Sequence, residues 1–259
     1  MSSPFRKTLI IWKAIFLKDA LSRFFGSRAA WVWLLLEPSV HVVFIASIYT
    51  IINSKTMQGV ALQPWLAVGM LAFFVFRRTA VQVLHSIDCS KPFFAFREVR
   101  PFDAALCRGG VEAFAMLFVS LIIVAALAVA GFNMFPDNII TCILAYFGLW
   151  FLGLGYGLIS SVSMRLVPDS GFILQMLMMP MYIISGVMMP VAIIPEPYRG
   201  LLLINPVLHG VEAMRIGFWG EFYHQTGDIS LAYLYSWALV LVVIGMALYQ
   251  ALETRLVRQ

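Results

Sequence analysis

The sequence predicts an all-α integral membrane protein: six transmembrane helices, an N-terminal amphipathic interfacial helix, and a re-entrant helical hairpin on the outer side before the last span. Three observations predict it. Hydrophobic residues fill 61% of the 259 positions and charged residues only 12%, with a mean hydropathy of +0.89, a composition that excludes a soluble domain. Apolar runs of about 20 residues, the length that crosses roughly 30 Å of hydrocarbon, recur along the chain. Basic residues are divided unequally between the loops at alternate ends of those runs. The length is filled by the spans and short loops, so residues 1–259 read as a single transmembrane domain with any catalytic domain on another polypeptide.

Within residues 1–28, Phe5, Leu9, Trp12, Phe16 and Ala20 recur at three- and four-residue spacing while Lys7 and Lys18 project elsewhere. That pattern describes a helix lying in the membrane interface. Its role is either that of a positive anchor or that of a frame for a lateral entrance from the bilayer. It lacks a short apolar run followed by a small-residue cleavage site, so no removable signal peptide is expected.

Apolar runs place spans at 29–53, 60–84, 107–132, 139–164, 171–194 and 229–252. An even number puts both termini on one side. The second run meets Arg77 and Arg78 and completes its helix amphipathically. Arg6, Lys7, Lys13, Lys18, Arg23 and Arg28 share a side with Arg77, Arg78, Lys91, Arg97, Arg100, Arg108, Arg165, Arg255 and Arg258, leaving only Lys55, Arg199 and Arg215 opposite. This bias makes both termini cytoplasmic. It also places most of the positive charge at the membrane surface, which argues against nucleic-acid binding.

Three stretches are not simple spans. Residues 86–103 mix aromatics with charges, and a short amphipathic helix there would present Phe93, Phe94 and Phe96 to a partner while Lys91, Arg97 and Arg100 stay solvated. Packing on lipid headgroups is the plainer alternative. In 195–228 the apolar stretches are too short to span, and irregular backbone at membrane depth needs shielding by protein or water, which favours a hairpin that dips in and returns. Between Gly148 and Gly157 four glycines outline a close helix-packing face. Pro180, Gly186 and Pro190 mark hinges or packing kinks in the fifth span.

Ionisable groups inside spans are functional candidates by default. Glu37, next to Pro38, and His41 fall in the first, and Arg108 and Glu112, four residues apart, read as an ion pair at the start of the third. Among the many aromatics of the spans are Trp31, Trp33, Phe73, Phe74, Trp150 and Tyr182. Most such rings serve packing or the interfacial belt; a minority would face a conduit. Cys89, Cys107 and Cys142 form an odd set without metal or redox spacing. No P-loop, H-E-x-x-H or G-x-S-x-G pattern occurs, so neither nucleotide binding of that kind nor an integral-membrane enzyme is supported.

These features together resemble the membrane subunit of type-2 ATP-binding cassette exporters, and within it the capsular polysaccharide export branch of Gram-negative bacteria. The likeness is carried by the basic N-terminal helix, the six spans, the run from Phe96 to Asp103 with Arg108 and Glu112 after it, and the outer series Pro197, Tyr198, Asn205, Pro206, Glu212 and Arg215. The resemblance implies a homodimer in the inner membrane with two copies of a cytoplasmic ATPase. ATP and Mg would sit on that ATPase and no cofactor on this chain. Asp88, Lys91, Phe93, Phe94, Phe96, Arg97, Glu98, Arg100 and Asp103 would form or flank the coupling helix. The implied cargo is an acidic polysaccharide on a lipid anchor, passed to a periplasmic co-polymerase or adaptor and an outer-membrane exporter, with the 195–228 hairpin on the periplasmic side. Arg77 and Arg78, with Trp31, Trp33, Phe73, Phe74, Trp150 and Tyr182, are the expected substrate path. Export of O-antigen, another glycolipid or a drug stays open within that architecture; an ion-coupled transporter, a scramblase or a scaffold stays open outside it.

Overall fold

A computed structural model describes residues 4–26, 30–51, 56–57, 59–95, 99–195, 198–220 and 229–258. Helix α1 (Pro4–Phe25) is followed by α2 (Ala30–Ile51), and a minimal antiparallel hairpin pairs β1 (Thr56–Met57) with β2 (Val60–Ala61) ahead of α3 (Leu62–Leu84). A short α4 (Ser86–Ser90) and a 3-10 turn (Lys91–Ala95) precede the long α5 (Pro101–Val129) and α6 (Ile139–Leu166). Then come two half-length helices, α7 (Ser170–Met176) and α8 (Met178–Ile184), a 3-10 turn (Val191–Ile193), α9 (Tyr198–Leu202), α10 (Pro206–Trp219) and α11 (Leu231–Arg258).

Among the described residues, four helices are long and apolar enough to cross a membrane: α3, α5, α6, and α11 from Leu231 to Glu253. Helix α3 is the most enclosed of them and forms the axis of the bundle, with Trp65, Leu66, Met70, Phe73, Phe74 and Phe76 buried on all sides. Side chains apolar all round mark a helix surrounded by protein rather than by lipid on one face. Helix α6 lies between α3 and α11, and its glycines make this possible. A Cβ on Gly153 would stand 2.6 Å from the Phe76 carbonyl oxygen of α3, and one on Gly155 would stand 2.7 Å from Leu241 Cβ of α11. Gly157 meets α3 and Gly148 meets α11 in the same way. The run read as one packing face therefore serves two neighbours at once, as small residues do where backbones approach closely.

Two predicted boundaries shift. Helix α5 begins at Pro101, six residues before the predicted span, because Pro101 occupies the first helical turn and Asp103 Oδ2 accepts from the Arg100 N–H at 3.4 Å, a cap that costs the helix no internal bond. The predicted span 171–194 is helical only to Ile184. Pro180 has no N–H to give the preceding turn, which separates α7 from α8. The chain then turns at Gly186, whose φ of 70° suits glycine, and meets Pro190, a combination that ends a helix.

The segment predicted as the re-entrant hairpin contains α9 and then α10, started by Asn205, whose Oδ1 accepts from Val207 N–H at 3.0 Å, and by Pro206 in the first turn. The 14 residues of α10 rise only about 21 Å, too little to cross a bilayer core. Yet it is buried along most of its length against α3 and α6, and Asn138 at the start of α6 donates its N–H to Gly217 O at 2.9 Å.

Gly153→Ala is expected to lower stability by about 1–3 kcal/mol, because the new methyl meets a backbone carbonyl that cannot rotate away. Gly200→Ala, with nothing within 4 Å of its Cβ position, is expected to stay within about 0.5 kcal/mol of the parent. Thermal unfolding in detergent, followed by size-exclusion fluorescence, measures both.

Candidate functional site

Polar side chains in so apolar a molecule are concentrated in two places, one at each end of the bundle. At the end of the bundle where α3 begins, Arg215 of α10 has no exposed surface. Its Nη1 donates to Glu212 Oε1 at 2.7 Å and to Gly186 O at 2.8 Å, and its Nη2 donates to Val187 O at 2.9 Å. The guanidinium carbon lies 3.6 Å from the centre of the Trp65 ring, within cation–π range. Gly69 leaves room for it, since a Cβ there would stand 2.1 Å from Nη2. Gly186 and Val187 lie just past the end of α8, where carbonyls have no helical partner, and Arg215 supplies one for each. Asn205 adds a second tie, donating from Nδ2 to Ser185 Oγ at 2.9 Å. Pro206 and Asn205 thus begin α10, Glu212 and Arg215 anchor it, and Tyr198 stays exposed on α9. Pro197 lies outside the described residues.

At the opposite end an ion ladder joins four helices. Glu37 of α2 pairs with Arg77 at 3.4 Å and Arg78 at 3.1 Å on α3; Arg78 reaches on to Glu112 of α5 at 3.4 Å, and Glu112 pairs with Arg23 of α1 at 3.1 Å. Glu112 is almost wholly enclosed. The expected Arg108–Glu112 pair does not form: Arg108 donates instead to Gln82 Oε1 of α3 at 3.0 Å. Spacing of four residues favours pairing on an open helix face, but α5 is covered here by α1 and α3, and inward cations take Glu112 first. Glu37, a candidate as an ionisable group within the first predicted span, is engaged in the same ladder.

Residues 86–103, the expected coupling segment, are built differently from the reading of their pattern. Asp88 pairs with Lys91 at 3.0 Å and with Arg165 at the end of α6 at 3.3 Å. Phe94 is half-buried rather than fully presented outward, packed against the cluster that contains Val83, Ile87 and Tyr249. Asp103 belongs to α5, where it caps the helix and accepts from Trp12 Nε1 of α1 at 2.8 Å. Arg100 is exposed at the helix start. Phe96, Arg97, Glu98 and the Phe93 side chain lie outside the described residues. Sequence reasoning missed Tyr249, whose hydroxyl meets Ser161 Oγ at 2.6 Å and Ser86 Oγ at 3.4 Å and so ties α11 to α6 and α4. A lone tyrosine in an apolar helix carried no signal of that.

Three of the eight expected path residues are in the core. Phe73 and Phe74 are buried, and Tyr182 stacks edge-on against Phe73 at 5.1 Å and against His41 at 5.5 Å. Trp150 is half-buried and donates to Gly109 O at 2.9 Å. Arg77 and Arg78 are engaged by carboxylates rather than standing as free positive charge, because burying a cation requires a partner. Trp33 is exposed, and the Trp31 side chain lies outside the described residues. Among the described residues no group of His, Cys, Asp and Glu is placed to hold a metal ion.

Residues 12–219 match the model of a family described as ABC-2 type transporter. The chain is 30% identical over 251 residues to the polysialic acid transport protein KpsM of Escherichia coli, covering 97% of this chain and 96% of that protein. It is 23% identical to the capsule polysaccharide export inner-membrane protein CtrC of Neisseria meningitidis serogroup A, covering 95% and 93%. The corresponding protein BexB of Haemophilus influenzae is 21% identical, covering 80% and 78%.

Glu112→Gln leaves the guanidiniums of Arg78 and Arg23 short of a carboxylate and is expected to cost about 3–5 kcal/mol. Glu37→Gln, at a more open position, is expected to cost about 1 kcal/mol. In double-mutant cycles read by thermal unfolding, Glu112 and Arg78 should couple. Glu112 and Arg108, despite their spacing, should be additive within about 0.5 kcal/mol.

Proposed function

The chain belongs to the ABC-2 type transporter family, and from that premise we propose that it is the membrane permease of an exporter that moves a lipid-linked acidic capsular polysaccharide across the inner membrane. The observation that carries this reading is end-to-end similarity: the match to a polysialic acid transport protein covers 97% of this chain and 96% of that protein.

In this reading six passes are made by α2, α3, α5, α6, the broken pair α7–α8, and α11. Both termini are cytoplasmic, and α9–α10 form a re-entrant hairpin on the periplasmic side. The short, buried α10, held by Arg215 and Asn205, supports that hairpin. The exposed apolar faces of α2 and α7–α8, including Trp33, Phe44, Phe172 and Met179, suit the contact with a second copy.

The chain performs no ATP chemistry. Two copies of a cytoplasmic ATPase, holding ATP and Mg, dock on α4 and the turn after it. The Asp88–Arg165 pair and the packing of Phe94 support a mechanical role for this segment, since displacing α4 must move the ends of α6 and α3 with it. A periplasmic co-polymerase or adaptor and an outer-membrane exporter receive the glycan.

A strain lacking the chain is expected to retain acidic glycolipid inside, and to regain surface glycan when chain and ATPase are supplied together. An ATPase able to bind but not hydrolyse ATP is expected not to restore it. Surface glycan restored equally by that inactive ATPase would overturn the reading in favour of ion-coupled transport. Asp88→Ala is expected to lower export at unchanged protein level in the membrane.

A further inference from the structure

The junction between α3 and α4 holds the bundle in more than one direction. His85, the residue between the two helices, lies against Gln175 of α7, with the two Nε2 atoms 3.3 Å apart. Ser86, the first residue of α4, meets Tyr249 of α11, which in turn meets Ser161 of α6. Asp88 pairs with Arg165 at the end of α6. The direction of each hydrogen bond follows from its chemistry. A carbonyl oxygen only accepts, so the Gln175 nitrogen 3.3 Å from Gly171 O donates there, and its second N–H is the one that faces His85. His85 Nε2 is therefore the acceptor, and the ring carries its proton on Nδ1. By the same rule Ser161 gives its proton to Leu158 O at 2.8 Å, so Tyr249 donates to Ser161 and Ser86 donates to Tyr249.

The elements at the far ends of these bonds differ in how firmly they are held. Helix α6 is locked between α3 and α11, where Gly153 and Gly155 leave no room for even a methyl group, and interiors packed so closely pass a displacement on rather than absorb it. Among the described residues α7 buries only Gly171, while Phe172, Ile173 and Met176 are exposed. A bond from the Tyr156 hydroxyl to Leu174 O at 3.1 Å ties it to α6. A push at α4 is thus met by a stiff block on one side and by a lightly held helix on the other.

We propose that the hydrogen bond from Gln175 to His85 is the link through which movement of α4 reaches α7–α8, which makes His85 and Gln175 positioning residues for transport. The inference rests on the transport reading, in which the ATPase docks on α4. Helices α7–α8 carry part of the apolar face that suits a second copy, so the link runs from the docked ATPase toward the contact between copies. Breaking it disconnects hydrolysis from export while leaving the ATPase itself intact.

Surface glycan in cells, measured beside ATP hydrolysis by the complex of chain and ATPase purified from the same cells, tests it. His85→Ala and Gln175→Leu are expected to leave hydrolysis unchanged and to lower export per ATP about fivefold, the factor that one ordinary hydrogen bond makes in an equilibrium. His85→Gln, whose amide oxygen can take the place of Nε2, is expected to keep most of the export. Tyr156→Phe, which loosens α7 from α6 but spares the link, is expected to lower thermal stability at the parent's export per ATP. Parent-level export per ATP in His85→Ala and Gln175→Leu would overturn the link, as would a loss in His85→Gln or Tyr156→Phe equal to theirs. Hydrogen exchange on the parent complex gives a second reading that needs no variant to fold. A non-hydrolysed ATP analogue is expected to change exchange in α7 more than in α6, and equal changes in the two would also overturn the link. A parent that exports without ATP hydrolysis sinks the transport reading instead, so the two failures are told apart.

Discussion

The fold depends on one buried guanidinium. In an apolar molecule each interruption of a helix releases carbonyl and N–H groups that neither lipid nor aliphatic side chains can satisfy. Arg215 meets that demand where α8 stops, taking the carbonyls of Gly186 and Val187 while Glu212 neutralises its charge. Trp65 and Gly69 of α3 complete the cavity, one by offering a ring face and the other by having no side chain. The same residue therefore fixes the break after α8, the seating of α10 and the spacing of both from the central helix. Losing it would leave a carboxylate and two carbonyls buried together, a cost that buried pairs incur far more steeply than surface ones.

The ladder at the other end does for the peripheral helices what Arg215 does for the broken one. Helices α1 and α2 expose much apolar surface and share few glycine contacts with the bundle, so packing alone holds them less firmly. Glu37 and Glu112 tie them to Arg77, Arg78 and Arg23. Ion pairs of this kind are geometrically specific yet exchangeable, and a helix held by them can be released and recaptured without repacking a core. That property suits elements beside a route from the bilayer into a transporter.

Legibility in the sequence followed the range of the interaction. Apolar runs announced the long helices α3, α5, α6 and α11, since the bilayer imposes a length that any window can read. Proline and glycine at 180, 186 and 190 were visible as possible hinges, but whether the helix kinked or ended depended on Arg215, 25 or more residues away, donating to the carbonyls of Gly186 and Val187. The Arg108–Glu112 pairing failed for the same reason. A local spacing rule describes an isolated helix, and here Gln82, Arg78 and Arg23 arrive from other helices. Phe94 and Asp103 likewise read as surface features in a charged loop and proved to be a packing residue and a helix cap.

By itself the sequence determined that the chain is a mostly helical membrane protein, which end of each run is basic, and which residues stand together in the series Asn205, Pro206, Glu212 and Arg215. These are consequences of hydrophobic length and charge, quantities that add up along the chain without regard to partners. Only the tertiary structure decided which cation meets which carboxylate, that Phe73, Phe74 and Tyr182 face the core, and that Asp19, Arg23 and Arg108 surround one cleft. Those facts are pairings between helices distant in sequence, chosen by the cost of leaving a charge or a polar atom unpaired where water does not reach.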